Sequence, residues 1–331
     1  RVLNPAVLAL ICGSLLVCGI TTVAVVFGLG VMIGWDPEDS GGKQLERERR
    51  AILVEAVLKL ALWIELLSFF LFVSLADRIY PLLSGAMCAA GTLNANPFGY
   101  PALLAKAAAF GLCGLWLIVN RAGGPAVAVG MVRFKQVFLA VIWGTLLLEC
   151  GLQFKFFSSL EPDILTSCCA TIFSGNGGGL GSELAAVPVW ASVGSLAVLL
   201  PVTLGMGLAV KYLDASPTFF SILSALLGAA CALAVVSWIA PAYYELPTHH
   251  CPFCLLSPSV DRVGYPILGA LAVAVIAGLG TGIVKGVRRL DPLGFFNPDE
   301  EKKLCGLSMA GFIVFSVFSA WPLIGSGFRL E

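Results

Sequence analysis

The chain has 331 residues, of which 58% are hydrophobic and 12% charged, and its 20 basic and 20 acidic residues cancel. A soluble domain carries about 25% charged residues, so a chain this apolar (mean hydropathy +0.93) is built to face lipid. With no net charge and no basic run interleaved with aromatics, nucleic acid is excluded as a partner.

In chain order, apolar runs long enough to cross a bilayer cover 5–35, 51–76, 101–120, 137–157, 187–210, 217–241, 266–287 and 304–326. Backbone N–H and C=O groups cannot go unpaired in hydrocarbon, so each run is expected to be helical. The short alternating segments of a membrane β-barrel do not occur. The expected fold is all-α, a polytopic bundle of eight transmembrane helices in one membrane domain, 1–331. The first run is too long for the apolar core of a signal peptide and reads as a span. Turn and charge chemistry marks the breaks, as in Asp36-Pro37-Glu38-Asp39 and Asn297-Pro298-Asp299-Glu300.

Lys and Arg set the orientation. Thirteen lie in the loops after spans 1, 3, 5 and 7, against five (Arg1, Arg78, Lys155, Arg262, Arg329) on the other side. Both termini are therefore expected outside. The outer loops are then 77–100, 158–186 and 242–265, and each holds cysteine: Cys88, the vicinal pair Cys168-Cys169, and Cys251 with Cys254. The remaining six cysteines fall in or at the edge of apolar runs and read as small buried hydrophobes.

A weak repeat links the outer loops. Tyr80, Cys88 and Gly99-Tyr100-Pro101 precede span 3, and Tyr243, Cys251 and Gly264-Tyr265-Pro266 precede span 7. It suggests a parallel 4+4 arrangement with halves 1–157 and 187–331 joined by loop 158–186. The plainer explanation is that Gly-Tyr-Pro suits a helix start at the membrane interface.

The segment His249-His250-Cys251-Pro252-Phe253-Cys254 carries the most chemistry. Over its Cys-Pro-x-Cys turn it resembles the redox turn of glutaredoxin-type proteins. The spacing lets two sulfurs reach disulfide geometry, and imidazoles beside a thiol favour the reactive thiolate. A static disulfide is the competing explanation. His249, His250, Cys251 and Cys254 also form a soft-metal ligand set suited to zinc, copper or an iron–sulfur cluster. Five outer cysteines is an odd number, which argues against a purely structural set. Haem bound by this chain alone is not expected, because its only histidines are adjacent in a loop and Leu255 follows Cys254 where a haem-attachment motif requires His.

Within the spans, Glu65 and Glu149 read either as protonated carboxyls bonded to neighbouring helices or as a proton path or quinone-side proton acceptor. Glu55 and Lys59, four apart, form a self-neutralising pair. Lys106 and Lys155 are expected to snorkel to the outer interface. The glycine-rich stretch 174–181 lacks the Lys-Ser/Thr of a phosphate loop and reads as a linker.

Three functions follow. One is a membrane redox component with Cys88, Cys168, Cys169, Cys251 and Cys254 exchanging electrons with a periplasmic or membrane protein partner, and quinone as acceptor. Its layout is similar to that of the bacterial membrane disulfide oxidoreductases that couple cysteine pairs to quinone, which implies a bacterial inner membrane with periplasmic cysteine loops. The others are a non-catalytic anchor subunit of a respiratory or assembly complex, and a transporter for a soft metal or small solute. Whether the chain is an enzyme stays open at this point.

Overall fold

In hydrocarbon a chain must close its own backbone hydrogen bonds, and this one does so with helices throughout. The computed structural model describes residues 4–34, 42–123, 129–160, 180–289 and 299–325, and no strand occurs among them. The helices are α1 (Pro5–Gly34), α2 (Gly42–Ile79), α3 (Ala89–Leu93), α4 (Gly99–Ala122), α5 (Val129–Ser158), α6 (Leu180–Ala185), α7 (Val189–Tyr212), α8 (Pro217–Ala234), α9 (Ala240–Tyr244), α10 (Gly264–Arg288) and α11 (Asp299–Gly325). A π-helical turn, Val235–Ile239, joins α8 and α9. Short 3₁₀ turns follow α2 and α9, at Tyr80–Leu82, Pro252–Leu256 and Pro258–Val260. Eight helices among the described residues are long and apolar enough to cross a membrane, with α8, the π turn and α9 counting as one span, Pro217–Tyr244. The protein is an all-α, polytopic integral membrane protein. Both Gly-Tyr-Pro segments open a helix, α4 and α10.

Contacts within the chain group it into two compact units. The first comprises Arg1–Leu75, Asn96–Leu160 and Gly286–Asn297. Its core packs Val17, Leu62, Ala109, Trp116, Ile142 and Leu146 from α1, α2, α4 and α5. Polar groups in this core are tied across helices rather than left to lipid. Trp143 Nε1 donates to Thr22 Oγ1 at 2.8 Å, and Gln136 Nε2 donates to the Val25 carbonyl at 2.8 Å. The Gln136 side chain lies directly over Gly28, where any Cβ would collide with it. Glu55 and Lys59 pair at 2.8 Å as expected, and Asn120 from α4 also donates to Glu55, at 2.9 Å.

The second unit comprises Ala76–Ala95, Glu161–Lys285 and Pro298–Glu331. Its core holds Leu227, Trp238, Ile239, Leu271, Phe312 and Phe315. Small residues let its helices approach closely, the usual solution where no hydrophobic drive favours helix over lipid. Ser308 Oγ donates to the Ala274 carbonyl at 2.7 Å. A Cβ at Gly278 would stand 2.4 Å from Ser224 Cβ and 2.9 Å from Ser308 Oγ. Gly278→Leu should therefore destabilise the folded protein by about 1–3 kcal/mol through overpacking. Gly269→Leu, where nothing lies within 4 Å of the added Cβ, should change stability by no more than about 0.5 kcal/mol. Unfolding in detergent measures both, and equal losses would refute this packing.

Candidate functional site

A proline shapes the cysteine loop. Pro241 has no N–H, and the helix accommodates it with the π turn, in which the Ala240 amide bonds to the Val235 carbonyl. The Val236 carbonyl is left without its ordinary helical donor, and His250 Nδ1 meets it at 3.0 Å. A carbonyl only accepts, so His250 carries a proton on Nδ1. Glu245, in the left-handed region at φ 54°, then ends α9. The Tyr244 hydroxyl donates to the Cys254 carbonyl at 2.7 Å, and its ring lies 4.4 Å from that of His249. Behind the turn, a Cβ at Gly264 would sit 2.9 Å from the Leu255 carbonyl. Glycine at the start of α10 is thus what lets the Cys254–Leu255 backbone pack against that helix.

Cys88 arrives from the loop after α2. It stands extended at the head of α3, and its carbonyl accepts from the amides of Gly91 and Thr92 at 3.0 and 3.3 Å. The Ala89 amide donates to the Asp77 carboxylate, which also faces Arg262. Asp77 is a positioning residue that the sequence pattern did not single out. It looks like an ordinary interfacial charge, and its partner is 12 residues away across a turn.

The sulfurs of Cys88, Cys251 and Cys254 lie within 4.8 Å of one another, and Cys88 Sγ is 3.7 Å from Cys251 Sγ. All three are buried, packed with Ala90, Ala185, Val236 and Phe253. The pair at 3.7 Å consists of the two cysteines that the Tyr-to-Cys repeat makes equivalent. Neither imidazole joins the three sulfurs. His250 Nδ1 is engaged by the Val236 carbonyl of the π turn, and the buried His249 Nε2 has no hydrogen-bond partner among the described residues. Cys168 and Cys169, like most of the 174–181 stretch, lie outside the described residues.

The first unit holds a separate charged site. Lys106 of α4 is fully buried, 3.1 Å from Glu65 Oε1 of α2 and 2.7 Å from Glu149 Oε1 of α5, both equally buried. The snorkelling expected of Lys106 is corrected: two carboxylates capture the ammonium inside the bundle, which outweighs the pull of the interface. Lys155 is exposed, in keeping with that expectation. Ser14 of α1, beside the Glu149 carboxylate, accepts from Gln153 Nε2 at 3.2 Å.

Breaking a buried ion group by removing one partner costs about 3–5 kcal/mol, whereas replacing all members is close to neutral. Lys106→Met should lower stability in detergent by that amount, and the triple variant Glu65→Gln/Lys106→Met/Glu149→Gln should recover most of it. A silent Lys106→Met would contradict the burial of the triad. No protein-family model, curated protein or solved structure matches this chain.

Proposed function

We propose that this protein is a membrane thiol–disulfide exchange component whose redox centre is Cys88, Cys251 and Cys254. The observation that supports it is the third sulfur. A static staple needs two cysteines, whereas three within 4.8 Å allow alternative disulfides, among them Cys251–Cys254 and Cys88–Cys251. That redundancy is what an exchange centre uses to pass a bond from one pair to another.

In the proposed cycle, the Cys251 thiolate attacks a disulfide of a partner protein, forming a mixed disulfide and releasing one partner thiolate. Cys254 or Cys88 then attacks Cys251 Sγ, closing an internal disulfide and releasing the second. The chain is oxidised by two electrons, the partner is reduced, and the two thiol protons end on the partner. Run in the other direction, a partner thiolate attacks Cys251 of the internal disulfide, and the partner's second thiol resolves the mixed disulfide so that the partner leaves as a disulfide. A membrane quinone then takes two electrons and two protons from the dithiol left on this chain, re-forming its disulfide and becoming quinol. The sidedness of the basic residues supports cysteine loops on the non-cytoplasmic face, in a bacterium the periplasmic side of the inner membrane. Disulfides persist in that compartment. Cys88, Cys251 and Cys254 are all buried, so exchange with a partner protein requires this centre to open.

A second proposal, a soft-metal centre, draws support from the same geometry. Bonds of about 2.3 Å to a tetrahedral zinc put sulfurs roughly 3.8 Å apart, close to the 3.7 Å between Cys88 and Cys251. Cys88, Cys251 and Cys254 would supply three thiolates.

One set of variants separates the two. Because Cys88 can resolve the intermediate in place of Cys254, Cys254→Ser alone should accumulate little mixed disulfide. Cys88→Ser/Cys254→Ser should trap the partner on Cys251, and Cys251→Ser should trap none. Non-reducing electrophoresis of acid-quenched membranes measures this. Absence of any adduct in the double variant overturns the exchange function. Stoichiometric zinc that shields all three thiols from alkylation replaces it with the metal centre.

A further inference from the structure

We propose that the buried triad of Glu65, Lys106 and Glu149 is a proton-binding site that holds one exchangeable carboxyl proton within the membrane-spanning unit. Two carboxylates facing one ammonium leave one net negative charge, and all three side chains are fully shielded from solvent. An uncompensated charge in such a place is far more costly than a neutral group. Uptake of one proton, turning a carboxylate into a carboxyl, brings the group to neutrality while Lys106 keeps its bond to the remaining carboxylate.

Among the described residues, the surrounding groups offer no other counter-charge. α1 contributes Ser14 and Cys18, α2 Glu65, α4 Lys106 and Cys113, and α5 Glu149, Cys150 and Gln153. None of these except Lys106 is a cation. The hydrogen-bond inventory agrees. The buried Glu65 Oε2, Glu149 Oε2 and Gln153 Oε1 all lack a donor among the described residues. The site is short of hydrogens and has acceptors to spare, and Gln153 joins it through Ser14 rather than through the carboxylates themselves. Binding a proton supplies both the missing charge and a missing donor.

The triad lies part-way into the unit. Lys106 is seven residues from the start of α4 and Glu149 nine from the end of α5, about 10–14 Å of helix. A proton carried there is a station for proton movement across the bundle. The site stands independently of the thiol centre, so loss of one assignment leaves the other intact.

Infrared difference spectroscopy of the full chain in lipid, across a pH titration and in D₂O, tests this by reading the carbonyl stretch of a protonated carboxyl. Wild type should show one such band that shifts in D₂O. Glu65→Gln and Glu149→Gln should each abolish it, because either leaves a neutral Lys–Glu pair. Lys106→Met should double it, and if that variant does not fold the two glutamine variants still decide. A wild-type protein with no such band, a band that does not shift in D₂O, or one that survives both glutamine variants overturns the proposal. A band that vanishes when potassium is replaced by sodium reassigns the site to a sodium ion and equally overturns it.

Discussion

Every notable feature of this protein descends from one constraint, that polar groups in hydrocarbon need partners within the protein. It makes the spans helical, and it also dictates their irregularities. Pro241 removes one amide, the helix loosens into a π turn, and the carbonyl left over at Val236 recruits His250. The residue next to Cys251 is thereby anchored by a defect in a helix that ends at Tyr244. The same constraint draws Lys106 inward to Glu65 and Glu149.

Most of the fold was legible in the amino-acid sequence because hydropathy integrates over whole spans. Errors of a few residues at each end, such as 51–76 against Arg49–Leu82, do not alter the count. The Glu55–Lys59 pair was also legible, since four-residue spacing fixes a helix face. The role of Lys106 was not. From position alone it sits near a helix start and reads as interfacial, and only the packing of α4 between α2 and α5 brings its ammonium to the two carboxylates. Long-range partnership of this kind has no local signature.

The sulfur cluster falls between these cases. Cys251 and Cys254 announce themselves by spacing, and the odd number of outer cysteines argued against a purely structural set. The Tyr-to-Cys repeat even paired Cys88 with Cys251 in register, without saying that the two would meet. What the sequence lacked was the scaffolding: Asp77 holding the amide of Ala89, and Gly264 clearing space behind Leu255. His249 and His250 were expected as ligands from adjacency. His250 bonds the Val236 carbonyl through Nδ1, and His249 keeps a buried Nε2 with no hydrogen-bond partner among the described residues, beside Tyr244.

The central claim is that Cys88 belongs to the same centre as Cys251 and Cys254, and mass-spectrometric mapping of disulfide-linked peptides after mild oxidation in lipid tests it most directly. Oxidised Cys254→Ser protein should yield a Cys88–Cys251 cross-link, and oxidised Cys88→Ser protein a Cys251–Cys254 link. Failure of Cys88 to join Cys251 under oxidation, while Cys251 still pairs with Cys254 in the wild type, would contradict the account.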